Sequence, residues 1–210
     1  MKTFKKLMGY VPLINNNTKL TISLCLLLFA LTMAFHFFTL SAWICFIAMA
    51  FSTIGDIALN CKPLDIRPHS YLYVGAGFFM LAHITYAIAY GMMIVKSDKS
   101  YFNTGFLLSL FFIVTLCVVS IIFVIKSKEN LPKKMIIVFS IYVVIISINF
   151  ITISSYSWIY DSVASIGALS FLISDLIIGI ETVFKIKSSI LRKLVWIFYP
   201  IGQFMILACH

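Results

Sequence analysis

The 210-residue chain is 62% hydrophobic and only 11% charged, with a mean hydropathy of +1.06 and a formal net charge of +9. So few charges cannot cover a water-exposed surface, which excludes an ordinary soluble domain. Nucleic-acid binding is excluded as well: lysines and arginines sit between the apolar runs, as they do in loops at an anionic membrane surface, and no basic stripe with interleaved aromatics occurs.

The segment Met1–Thr18 reads as a basic N-terminal tail, followed from Lys19 by a single transmembrane helical domain. No cleavable signal is expected, because the first apolar run is too long for one and continues into His36-Phe37-Phe38. Apolar runs of about 19 to 25 residues then recur, the length a helix needs to cross a ~30 Å hydrocarbon core. They place seven spans at Leu20–Phe38, Leu40–Asn60, Tyr71–Val95, Phe102–Ile125, Met135–Ile153, Ser162–Val183 and Ile190–Cys209. The runs are continuous rather than alternating, which argues against a β-barrel, whose strands are only ~10 residues long. The expected fold class is therefore all-α, a polytopic membrane helical bundle. Lys62-Pro63, Arg67-Pro68 and Leu131-Pro132 mark connections where a helix would end.

Fourteen of the sixteen lysines and arginines fall in the tail and in the second, fourth and sixth connections, leaving only Lys96 and Lys99 on the other side. That split predicts a cytoplasmic N-terminus and an outer C-terminus. A bacterial source would imply the cell inner membrane, a eukaryotic one the endoplasmic reticulum. Cys25, Cys45, Cys61, Cys117 and Cys209 lack any paired spacing and read as small apolar packing residues.

An ionisable group in hydrocarbon costs roughly 2.5–3.5 kcal/mol, so each one inside a span needs a reason. Asp56 lies near the cytoplasmic end of the second span and Asp175 deeper, in the sixth. His83 and Tyr86 lie one turn apart near the middle of the third, and Tyr199 and Gln203 share a face of the seventh. Helical spacing puts Ser52 with Asp56, Phe79 with His83, Tyr86 and Tyr90, and Ala168 with Phe171, Asp175 and Gly179. A polar cavity in the cytoplasmic half is the simplest account. Asn149, placed in the outer half, is expected only to make an interhelical hydrogen bond. Asp161 is expected to cap the sixth helix and Glu181 to pair with Lys185. Bland readings stand beside these: an interfacial helix-end carboxylate for Asp56, a satisfied core histidine for His83, and packing roles for Tyr86, Tyr199 and Gln203.

Four segments in order, Ser52-x-x-Gly55-Asp56-x-x-Leu59, Gly77-x-Phe79-x-x-x-His83-x-x-Tyr86, Gly167-Ala168-x-x-Phe171-x-x-Ser174-Asp175 and Tyr199-x-x-Gly202-Gln203, resemble the YhhN family of integral membrane lysoplasmalogenases. The resemblance covers Lys19 to the C-terminus. Members usually have eight spans, and the place of the first is taken here by the basic tail. Met205 and Gly179 stand where leucine and alanine are usual.

The resemblance implies hydrolysis of the vinyl ether bond of a lysoplasmalogen to a fatty aldehyde and a glycerophospho-alcohol. No cofactor or metal is required, and the partners are a lysophospholipid substrate and membrane lipids. Vinyl ether cleavage begins with protonation of the β-carbon to an oxocarbenium ion, so it needs a proton donor and an anion. Asp175, the deeper carboxyl, is assigned as general acid, and Asp56, nearer water, as the anion that stabilises the cation and orients water. The two roles could be exchanged. His83 and Tyr86 would hold a carboxylate or the water, and Tyr199 with Gln203 the ether oxygen or a glycerol hydroxyl. Lys62, Arg67, Lys185 and Lys187 would lie near the lipid phosphate, though topology alone also explains them. A metal-dependent hydrolase is disfavoured because His36 and His210 fall at the outer side and His69 in an inner loop. The rival of another class is a proton-coupled transporter, against which stand the lack of inverted repeats and of Pro-broken helices.

Overall fold

The computed structural model describes residues 15–60, 70–127, 133–183 and 188–209. Seven helices account for nearly all of them: α1 (Asn16–Phe37), α2 (Leu40–Asn60), α3 (Ser70–Lys96), α4 (Thr104–Ser127), α5 (Lys133–Tyr160), α6 (Ala164–Val183) and α7 (Ser189–Ala208). No strand occurs among the described residues. Helices satisfy their own backbone amides, which hydrocarbon demands. Six of them are long and apolar enough to cross a bilayer, and in α4 the described apolar stretch is Thr104–Cys117. The chain is a multi-pass membrane protein built as an all-helical bundle.

Local chemistry explains where the helix ends differ from the expected spans. α1 starts at Asn16, within the expected tail, because the Asn15 side chain accepts hydrogen bonds from Thr18 N at 2.8 Å and Thr18 Oγ1 at 2.9 Å and so caps it. It ends where Phe38 takes a left-handed conformation and its N–H closes on Ala34 O. α5 runs seven residues past Ile153, through a serine-rich stretch that looks like a helix end. The serines are buried instead, and Ser155 returns its hydroxyl to Ile151 O at 3.0 Å. Asp161 does not cap α6: it sits in the left-handed region just after α5, and α6 begins only at Ala164. α7 runs unbroken through Pro200, which lacks the N–H that would bond the Trp196 carbonyl.

Helices α1, α2, α3, α5, α6 and α7 pack in that order, and α7 returns to α1, so six helices close a ring. α4 packs outside the ring on α5 and leaves Leu107, Leu108 and Phe111 exposed, as a lipid-facing surface does. Two helix pairs approach closely at glycines. Gly55 on α2 faces Gly75 on α3, and Gly167 on α6 faces Gly202 on α7. A methyl group on Gly202 would lie 2.7 Å from Phe171 N and 2.8 Å from Gly167 O, backbone atoms that cannot turn away. Gly202→Ala is therefore expected to lower stability by ~1–3 kcal/mol, read as a drop in thermal midpoint of the solubilised protein. Gly77→Ala and Gly91→Ala, where an added methyl meets open space, should leave that midpoint unchanged.

Candidate active site

Buried polar side chains from all six ring helices form three hydrogen-bonded groups. The first is built on Asp56, four residues before the end of α2 and buried to 4% exposure. Its Oδ2 accepts hydrogen bonds from Ser23 Oγ of α1 at 2.5 Å and from Tyr199 Oη of α7 at 2.6 Å. Three helices thus fix one carboxylate, and two donors on one oxygen hold its orientation.

The second group is built on Asp175 of α6. Its Oδ2 accepts from Tyr142 Oη of α5 at 2.7 Å and lies 2.8 Å from His83 Nε2 of α3. The other ring nitrogen, Nδ1, lies 2.9 Å from Asn149 Nδ2, also on α5. As the amide is assigned, Asn149 donates to Nδ1, so a neutral imidazole carries its proton on Nε2 and donates it to Asp175. With the amide turned over, Nδ1 would donate to Asn149 Oδ1 and Nε2 would accept a proton from Asp175. The same three residues can therefore partner Asp175 in either protonation state. Phe171 lies over the imidazole with ring centroids 4.4 Å apart and keeps it against the carboxyl.

The third group lies behind the other two and is sealed from solvent. Tyr86 Oη donates to Gln203 Oε1 at 2.7 Å, and Gln203 Nε2 donates to Ser52 Oγ at 3.0 Å. All three residues are fully buried. Tyr86 therefore holds Gln203 rather than a carboxylate, and Gln203 joins α7 to α2 and α3. Ser174 turns its hydroxyl back to Phe171 O at 2.7 Å and stays within its own helix.

Asp56 and Asp175 line one polar cavity with Phe79, Trp196 and Tyr199, of about 690 Å³ including its open mouth. Lys19, Glu181 and Arg192 stand at the ends of α1, α6 and α7 that meet there. Asp175 also lines a second, apolar crevice between α3, α5 and α6, of about 700 Å³ including the space open to its surroundings. Neither Tyr86, Gln203, Ser52 nor Ser174 lines either one. Glu181 has Arg192 as its ion-pair partner among the described residues, at 4.0 Å. Lys185, with Lys62, Arg67, Lys187, His69 and His210, lies outside them. Among the described residues, no three metal-ligating side chains converge.

Three polar contributors were not singled out from the sequence as site residues. Ser23 looks like a small residue in an apolar run, and Tyr142 like one more aromatic. Asn149 makes the interhelical bond expected of it, but makes it to His83 within the network rather than apart from it in an outer half. The available signal was spacing: Tyr142 and Asn149 are seven apart, two turns along one face of α5, and Lys19 and Ser23 are four apart on α1.

No curated protein and no solved structure gives a match to the chain. The model of the YhhN family matches residues 15–209, from the cap of α1 to the end of α7, and so takes in every residue of the three polar groups. The chain belongs to the YhhN family.

Proposed function

We propose that this chain is a lysoplasmalogenase-like hydrolase that cleaves the vinyl ether bond of a one-chain ether phospholipid. The observation that carries the reading is that two carboxyl groups from separate helices line one cavity, each held by hydrogen bonds from side chains of other helices. Family membership agrees with it.

In this reading Asp175 gives its proton to the β-carbon of the vinyl ether, and the positive charge moves to the α-carbon and ether oxygen. The carboxylate left behind is stabilised by hydrogen bonds from the Tyr142 hydroxyl and from His83, whose proton sits on Nε2 when Asn149 donates to Nδ1. Asp56, held by Ser23 and Tyr199, balances the oxocarbenium charge and takes a proton from the water that adds to the α-carbon. The hemiacetal then collapses. Its hydroxyl proton returns to Asp175, Asp56 protonates the departing glycerol oxygen, and the products are a fatty aldehyde and a glycerophospho-alcohol. One water is consumed and both carboxyl groups regain their starting states. The buried Tyr86–Gln203–Ser52 group takes no part beyond fixing α7 against α2 and α3.

The test is substrate discrimination by the purified protein. It should release long-chain aldehyde from an alkenyl lysophospholipid and leave the saturated alkyl ether of the same head group intact, because only the vinyl carbon can accept the proton. Equal turnover of both lipids would remove this mechanism.

A further inference from the structure

Asp175 belongs to the walls of two cavities of unlike character. On one side is the apolar crevice, lined by Tyr73, Ala76, Val138, Phe139, Ile178 and Gly179. On the other is the polar chamber with Lys19 and Arg192 at its rim. Leu59, Phe79, Asp175 and Ile178 are common to both, so the two spaces adjoin along the catalytic carboxyl.

The chamber suits an anion although it contains carboxylates. Lys19 Nζ sits 5.3 Å above the Trp196 ring, which orients the ammonium without neutralising it. Arg192 Nε is 4.0 Å from Glu181 Oε1, too far for a hydrogen bond, and its side chain is 54% exposed. A guanidinium so placed keeps donors for a phosphate, which it can grip through two N–H groups. Across the shared wall, Gly179 sets the width of the crevice: a methyl there would come 2.9 Å from the Phe139 ring.

We propose that the two cavities are the two halves of one lipid seat, with a single hydrocarbon chain in the crevice between α3, α5 and α6 and the phosphate of its head group between Lys19 and Arg192. The seat relies on the hydrolysis reading only for which bond lies over Asp175. It assigns the head-group contact to two residues on α1 and α7, and the hydrocarbon chain to the crevice that adjoins them.

Binding of a non-cleavable probe tests this separately from catalysis. The probes are a saturated hexadecyl ether lysophospholipid and hexadecylglycerol, which shares its chain but lacks the phosphate. The wild type should bind the phosphate-bearing probe at least about ten-fold more tightly than the neutral one, the least effect expected of charge-assisted contacts from two cations. Lys19→Gln and Arg192→Gln should each remove most of that advantage without changing affinity for hexadecylglycerol, and Lys19→Arg should retain it. Gly179→Val should weaken both probes alike. Unchanged binding of both probes in Lys19→Gln and Arg192→Gln would overturn the seat. So would inorganic phosphate or glycerophosphate binding as tightly as the whole lipid, since that marks a site for free phosphate. The two readings fail separately: this probe pattern without aldehyde release by the wild type removes the hydrolysis and leaves the seat. Aldehyde release with wild-type KM in Lys19→Gln and Arg192→Gln removes the seat and leaves the hydrolysis.

Discussion

Asp175→Asn is expected to lower aldehyde release from an alkenyl lysophospholipid by roughly a hundred- to ten-thousand-fold, the usual worth of a positioned proton donor. Asparagine keeps the size of the side chain and still offers an oxygen to the Tyr142 hydroxyl, so the helices need not move. What it cannot do is give up a proton to carbon. The measurement pairs turnover with binding of the saturated ether probe: turnover should collapse while probe affinity and thermal midpoint stay near those of the wild type. The chemistry leaves a second mark, because hydrolysis in D2O should place one deuterium on the carbon next to the aldehyde. Turnover within a few-fold of wild type in Asp175→Asn would reject Asp175 as the acid. Product without that deuterium would reject protonation at carbon altogether.

The fold was legible because its signal is one-dimensional. A run of apolar residues long enough to span a bilayer leaves the backbone little choice but helix, so each of the seven expected spans falls on a helix among the described residues, six of them long and apolar enough to cross. The ends were less legible, since they depend on single side chains. Asn15 extends α1 backwards by capping it, and the serines after Ile153 are buried within α5 instead of ending it, Ser155 bonding its own helix and Ser157 reaching Ser162 and Ser165 beyond it. Which helices form the ring was not legible at all, because hydropathy does not distinguish a lipid-facing α4 from its neighbours. The site divides along the same line. Asp56, Asp175 and His83 stand out because ionisable groups in hydrocarbon are costly, whereas Ser23 and Tyr142 carry no charge and gain meaning only from the carboxylates they meet. Gln203 stands out in the sequence for its polarity, yet its partners Tyr86 and Ser52 turn it into a tie between helices. The sequence could show that it was polar but not which way it faced.

Asp56→Asn should also cost roughly a hundred-fold or more in aldehyde release, but at a different step. The amide oxygen can still accept from Ser23 and Tyr199, so the site keeps its shape. It has no negative charge to set against the oxocarbenium ion and no basic oxygen to take a proton from water. Asp175 remains able to protonate the vinyl carbon, and a cation that water captures slowly can return its proton. In D2O, lipid recovered before completion from Asp56→Asn should therefore carry deuterium at the β-carbon. Lipid recovered from the wild type should not, and neither should lipid from Asp175→Asn, where the cation never forms. Mass spectrometry of the unreacted lipid reads all three. Deuterium in the Asp175→Asn sample and none in the Asp56→Asn sample would exchange the roles of the two carboxyls. Its absence from both variants would mean that neither loss isolates the capture step, and the division of labour between them would fall.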